Sequence, residues 1–190
     1  MKKRCQWPSE IELYYHDTEW GVPVTDDKKW FEYLLLETFQ AGLSWKIILQ
    51  KREGFRKAFY DFDVQKVAQM SDEQIAELRE NPNIIRNRLK IKASVTNAQA
   101  FIKIQEEFGS FNSYIWQFTD GKTINNQFKK LSEITSTSTQ SDKMSKELKA
   151  KGFKFVGSTI CYSFMQASGM VNDHTLDCFR YQEIQKISFN

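Results

Sequence analysis

The stretch from Lys28 to Gln40, KKWFEYLLLETFQ, constrains this chain more than any other. Between Tyr33 and Leu36 it is apolar on nearly every side of a helix, so other elements must wrap it. Thr25 reads as its N-cap, with Asp26 and Asp27 in the first turn, where negative charge suits the helix dipole. Gly42 ends it. One acid, Glu37, interrupts the apolar run and shares a helical face with Tyr33, Leu34 and Ala41. An average helical Glu faces solvent, but this one has apolar neighbours, and burying an unpaired carboxylate is costly. A chain tolerates that mainly where the charge meets a partner or a ligand. Trp45 opens the next helix, and Tyr14, Tyr15 and Trp20 crowd the preceding segment. An acid among aromatic rings is a natural receptor for a flat, electron-poor or cationic ring. For most of these aromatics, plain core packing is the alternative.

The remaining pattern supplies helices to do the wrapping. Only 8 Gly and 3 Pro occur in 190 residues, which disfavours a loop-rich β-sandwich and predicts an all-α fold. The length suits one unit over residues 1–190, possibly two helical lobes with a cleft between them. The first two dozen residues, through WGVP (Trp20 to Pro23), read as irregular. Ser44 caps a helix from Trp45 to Tyr60. Asp63 and Ser71 start short helices, the second with a capping box to Gln74. Asn81, Pro82 and Asn83 break the chain before a long helix, Ile84 to Phe108, and a short one, Phe111 to Phe118. Ser132 to Ser141 reads as a surface loop, Asp142 to Lys151 as helix, KGFKFVGST as a turn, and Thr159 to Ala167 as an apolar helix closed by Gly169. The final ten residues are expected to fray. No apolar run is long enough for a membrane span, and no apolar signal region follows the basic Met1 to Arg4. The expectation is a cytoplasmic protein, most simply a monomer.

Three cysteines are too few, and odd in number, for a disulfide scaffold. The chain has two histidines. His174 stands four residues before Cys178, a spacing that lets both face one side of a helical turn. Cys5 and His16 would complete a Cys2His2 set of the kind zinc accepts tetrahedrally, with two ligands from each end of the chain. Such a site would be structural. Unrelated residues at chance spacing are the alternative, since no tight Cys pair of the zinc-finger kind is present. Cys161, in an apolar helix, reads as a buried small hydrophobe.

The net charge of +3 is weak evidence by itself; the placement of cations says more. In the turn Phe153 to Thr159, the amides of Gly157, Ser158 and Thr159 open a helix, and a helix N-terminus binds phosphate without reading sequence. Lys143, Lys146, Lys149, Lys151 and Lys154 precede or enter that turn. Arg86, Arg88, Lys90 and Lys92 form a second cluster. Ordinary solvated helix faces account for either cluster taken alone.

Four motifs in order, YHDTEWGVP (Tyr15 to Pro23), FQAGLSW (Phe39 to Trp45), IIRNR (Ile84 to Arg88) and GFKFVGSTICYSFMQASGMVNDH (Gly152 to His174), resemble the 3-methyladenine DNA glycosylase I family over nearly the whole chain. The resemblance implies a helix-hairpin-helix DNA glycosylase fold and one structural zinc held by Cys5, His16, His174 and Cys178. It implies no catalytic cofactor. It places the base pocket on Glu37, Tyr15 and Trp45, with Trp7 and Trp20 as further lining, and the DNA-binding hairpin on Phe155, Gly157, Ser158 and Thr159. Phe155 stands where related hairpins often have a glycine. Broader members of the superfamily carry an Asp where Asn172 stands here, and members that also cut the backbone carry a Lys where Thr159 stands. No Schiff-base nucleophile is evident, which points to a monofunctional enzyme.

The implied partners are double-stranded alkylated DNA and the 3-methyladenine base. N3 methylation makes adenine a cationic leaving group that needs no general acid. The expected roles are recognition by the Glu37 carboxylate, which thereby carries the catalytic effect, stacking by Trp45 and orientation by the Tyr15 hydroxyl. A noncatalytic helical DNA-binding module with a structural zinc would explain the cations and the hairpin, but not an acid inside an apolar, aromatic segment.

Overall fold

The computed structural model describes residues 2–187; Met1 and the last three of the ten residues expected to fray lie outside it. Ten α-helices appear among the described residues. A 3-10 turn, Glu10–Glu12, leads into α1 (Leu13–Thr18), followed by α2 (Asp27–Gln40), α3 (Trp45–Ala58), α4 (Val64–Ala68), α5 (Asp72–Leu78), α6 (Arg88–Phe108) and α7 (Phe111–Ile115). Next come β1 (Ile124–Asn125), α8 (Thr139–Ala150), α9 (Ser158–Ala167), β2 (Val171–Asn172) and α10 (Phe179–Gln185). The two strands pair in parallel, Ile124 with Val171 and Asn125 with Asn172, so the fold is mostly helical rather than purely so.

The apolar helix lies at the centre. In α2 every side chain from Trp30 to Phe39 is buried. The helix packs against α3, α6, α7 and α9. Its N-cap is Asp26, whose carboxylate accepts from the Lys29 amide at 2.8 Å, one residue later than Thr25. Asp27 instead reaches across to the start of α7 and accepts from the Phe111 and Asn112 amides at 2.9 and 2.8 Å. That neighbour's need for a cap is invisible in local sequence. At the other end, the Lys90 ammonium donates to the carbonyls of Phe39 and Ala41 at 2.8 and 2.6 Å, satisfying two orphan acceptors of the last turn. Lys90 is buried and therefore does not belong to the exposed cationic cluster of Arg86, Arg88 and Lys92.

Other boundaries shift for local reasons. The N-terminal segment is not irregular throughout: Glu12 accepts from the Ser9 amide and hydroxyl at 2.9 and 2.7 Å, nucleating the turn that feeds α1. Helix α6 begins at Arg88 rather than Ile84, because Asn87 caps it by accepting from Leu89 and Lys90 amides. The Ser/Thr-rich loop is shorter than expected, since Ser138 caps α8 by accepting from the Ser141 amide. The C-terminal stretch is helical through Gln185, anchored by the buried Tyr181 and Ile184. Gly169, at φ +72°, lets the WGVP segment approach closely; a Cβ there would lie 2.4 Å from Pro23 N and Val22 C. No helix among the described residues is long and apolar enough to cross a membrane.

Candidate active site and metal centre

A cavity of about 200 Å³ opens beside α2 and is lined by Trp7, Tyr15, Trp20, Glu37, Gln40, Trp45, Leu131, Ile134, Ser163 and Gln166. All five residues expected to surround a ring are there. Helix α1 brings Tyr15, α2 brings Glu37, and the first residue of α3 is Trp45. The Tyr15 and Trp45 rings lie 5.2 Å apart, tilted by 47°. Tyr14, which seemed to belong with them, is instead 73% exposed and lines a separate hollow.

Glu37 is 2% exposed, and its Oε2 has no hydrogen-bond partner among the described residues. Desolvation pushes its carboxyl up to about 8. The indole N–H groups of Trp7 and Trp45 are likewise buried without a partner. Three polar groups without a partner among the described residues thus belong to residues that line one cavity.

The other buried acid of α2, Glu32, is treated differently. Arg52, Lys29 and Arg56 all pair with it, at 2.8, 3.0 and 3.3 Å. Glu19, in the YHDTEWGVP motif, takes Arg52 bidentately at 2.8 and 2.7 Å and Lys29 at 3.1 Å. Desolvation works against the Glu19 charge, but those cations prevail and hold its carboxyl down at about 2. This network ties the end of α1 to α2 and α3, the elements that carry Tyr15, Glu37 and Trp45. The contrast marks Glu37 as a carboxylate kept free.

The two cysteines and two histidines expected to form one set meet. Cys5, His16, His174 and Cys178 are all buried, with one ligand atom from each lying within 4.8 Å of the others. The Sγ of Cys178 is 3.6 Å from His16 Nε2 and 3.5 Å from His174 Nδ1, and Cys5 Sγ is 3.6 Å from the same Nδ1. Tetrahedral zinc with ordinary Zn–S and Zn–N lengths sets an S···N edge of roughly 3.6 Å, so the donor set and spacing fit that ion. Outer partners fix the imidazoles. His16 Nδ1 meets Asp17 at 2.8 Å, and Asp17 in turn binds Arg4 at 2.7 Å. His174 and Cys178 lie in an irregular turn before α10, not on a helix, and Cys178 is the residue that precedes the helix.

The Cys/His cluster adjoins the cavity, a proximity that no local pattern in the sequence signals. Trp7 and Trp20 stand between them: Trp7 packs edge-on to His16 at 5.4 Å, and Trp20 edge-on to His174 at 4.6 Å.

The hairpin joins α8 to α9. Phe153 is buried, whereas Phe155 is 37% exposed and sits in the left-handed region at φ +56°, a conformation that favours the glycine of related hairpins. Gly157 is the N-cap of α9 and has open space where a Cβ would be. Ser158 is already engaged, with Ser141 at 2.8 Å and with Asp142. Thr159 is exposed. Asn97 clamps the turn by accepting from the Lys154 amide at 2.7 Å and donating to its carbonyl at 3.1 Å. Lys143, Lys146, Lys149 and Lys154 are exposed; Lys151 is half-buried and paired with Glu107. Asn172 is fully buried, donating to Asn125 and to the Tyr181 carbonyl, away from the cavity lining.

Sequence reading missed Gln40, Leu131, Ile134, Ser163 and Gln166. A signal existed for two of them: Ser163 and Gln166 are polar residues three apart on one face of the apolar α9. Leu131 and Ile134 open and follow a single 3-10 turn, Leu131–Glu133, too short for periodicity to register.

A helical fold that keeps one buried acid free among aromatic rings defines a receptor for a flat, electron-poor ring, the arrangement of a base-excising enzyme. A model of the methyladenine glycosylase family matches residues 5–181, and the chain belongs to that family. It is similar to DNA-3-methyladenine glycosylase 1 of Escherichia coli (strain K12), 49% identical over 181 residues that cover 94% of this chain and 97% of that one. The DNA-3-methyladenine glycosylase of Haemophilus influenzae is 43% identical over 180 residues, 94% of this chain and 97% of that one. A crystal structure of 3-methyladenine DNA glycosylase I superposes with a TM-score of 0.91 at 47% identity, covering 93% of this chain and 98% of its own. The Staphylococcus aureus enzyme, solved for the structural basis of 3-methyladenine recognition, superposes at 0.88 with 39% identity, covering 96% and 94%.

Proposed function

We propose that this protein excises 3-methyladenine from alkylated double-stranded DNA by hydrolysing its N-glycosidic bond, as a monofunctional glycosylase of base excision repair. The observation that carries the reading is the buried, unpaired Glu37 in an aromatic cavity of about 200 Å³. The target nucleotide is turned out of the duplex into that cavity. Glu37 accepts from the base and complements its cationic charge, Trp45 stacks on the ring, and Tyr15 orients it through its hydroxyl. Trp7 and Trp20 close the wall. Neutral adenine loses on both counts: it offers no charge to Glu37, and its bond to the sugar is stronger.

The finer fold assignment is a helix-hairpin-helix glycosylase, supported by the tight α8–turn–α9 hairpin. One unit spans residues 1–190, its cleft lying where α1 and α2 meet α9. Phe155, Gly157, Ser158 and Thr159 lie against the DNA backbone, and Arg86, Arg88 and Lys92 add cations for phosphates. Thr159 stands where a lyase would carry its amine, which supports simple hydrolysis. Cys5, His16, His174 and Cys178 hold one zinc; when bound, it cross-links the two ends of the chain. The protein acts as a monomer in the cytoplasm.

Incubation with methylated DNA followed by chromatography of the released bases tests this. Release of 3-methyladenine with little 7-methylguanine is expected; absence of any free base would leave a DNA-binding module instead.

A further inference from the structure

Recognition as described leaves two residues unused. Asp173 is 1% exposed and accepts three hydrogen bonds: from Asn126 Nδ2 at 2.7 Å, from the Tyr162 hydroxyl at 2.8 Å and from Gln166 Nε2 at 2.8 Å. Gln166 lines the cavity, and its own carbonyl accepts from the Gly21 amide at 3.0 Å, so its backbone is fixed as well. A carboxylate only accepts hydrogen bonds. It therefore selects the NH2 end of the Gln166 amide and turns the oxygen end away. That Oε1 has no hydrogen bond to any described residue and is not sealed among the buried unpartnered atoms.

We propose that Gln166, oriented by Asp173, presents its amide oxygen to the cavity as an acceptor that reads the exocyclic amine of an N3-methylated purine. The assignment rests on the reading of the cavity as a purine site. An adenine-type base carries N–H donors on its six-position amine, and one of them would satisfy Oε1. A guanine-type base carries an oxygen there. Two acceptors would then face each other out of water, leaving both unpaired, which is how a site built to receive a donor rejects its analogue. Gln166 is the specificity-determining residue in this arrangement, and Asp173 is a positioning residue acting through it. Methylation at N3 would be sensed by Glu37, and the identity of the purine by Gln166.

The test compares excision of 3-methyladenine and 3-methylguanine, under single-turnover conditions, from dimethyl-sulfate-treated A·T and G·C polymers. Binding of the two free bases is followed by tryptophan fluorescence. Gln166→Leu removes the acceptor and keeps the bulk. It should lower 3-methyladenine excision and binding several-fold, up to about tenfold, while 3-methylguanine holds or improves, so their ratio falls. Asp173→Asn lets the Gln166 amide turn over and offer its NH2 to the cavity, and the ratio should fall further. Because Asp173 adjoins His174, metal content and unfolding midpoint are measured alongside; if that variant does not fold, Gln166→Leu and Gln166→Met decide. An unchanged ratio in Gln166→Leu, or an equal loss for both bases, overturns the assignment. Wild-type protein that releases neither base would instead overturn the proposed function, and this assignment with it.

Discussion

His174 turns its two ring nitrogens in opposite directions: Nδ1 faces the thiols of Cys5 and Cys178, and Nε2 donates to the backbone carbonyl of Trp20 at 3.0 Å. The imidazole thus joins the Cys/His cluster to a residue that lines the cavity. The proton on Nε2 also fixes the tautomer that leaves Nδ1 free to ligate. A clip for the chain ends is at the same time a brace for the pocket wall.

Stripping the proposed zinc should therefore loosen the pocket along with the termini. After dialysis against a chelator, the unfolding midpoint should fall, and 3-methyladenine should bind several-fold more weakly by tryptophan fluorescence even at temperatures where far-ultraviolet dichroism stays native. Restoring zinc should restore both. Unchanged base binding in folded, metal-free protein would separate the brace from the pocket.

Glu37→Gln should lower the single-turnover rate of 3-methyladenine release by about ten- to a hundredfold, the worth of a charge-assisted hydrogen bond, while the fold persists. Stability gives an independent readout. Burial raises the carboxyl from an ordinary 4.5 to about 8 in the folded state, so the wild type loses stability relative to the variant as pH rises from 4.5 to 8, by on the order of 5 kcal/mol in full. Urea unfolding at pH 5, 7 and 9 should show the variant's advantage growing across that window and levelling above it. A constant difference would mean that Glu37 is not desolvated.

Lys90 and its neighbours should separate cleanly. Lys90→Met leaves the carbonyls of Phe39 and Ala41 without their donor and should cost about 2 kcal/mol of stability. It should not change the salt dependence of DNA binding. Arg86→Ala and Lys92→Ala should do the reverse, each reducing the slope of log K against log salt by about one with little effect on unfolding. Equal salt slopes in all three variants would refute the division.

Two glycines with positive φ should also diverge. Gly169→Ala forces a methyl to within 2.4 Å of the Val22–Pro23 peptide and should cost about 3 kcal/mol or more. Gly42→Ala meets nothing within 4 Å and should cost only the left-handed penalty of about 1 kcal/mol. Thermal unfolding of the two variants checks the ranking.

The sequence by itself determined the central helix, because an all-round apolar run has only one place to go. It also marked Glu37, because a carboxylate in such a run needs a reason to be there. The four clustered residues Cys5, His16, His174 and Cys178 were legible as a set from the scarcity of histidine and cysteine and from the family's motifs. Other features depended on tertiary structure. Asp27 caps α7, eighty-four residues away in sequence, rather than its own helix. Lys90, one of four neighbouring cations, turns inward to the end of α2. Glu32 and Glu37 lie on the same buried helix, yet among the described residues three cations reach Glu32 and none reaches Glu37. Trp7 and Trp20 touch both the Cys/His cluster and the cavity. Each of these depends on which remote group arrives at a given atom. Local periodicity records that a side chain is buried, but the long-range packing decides what it meets there.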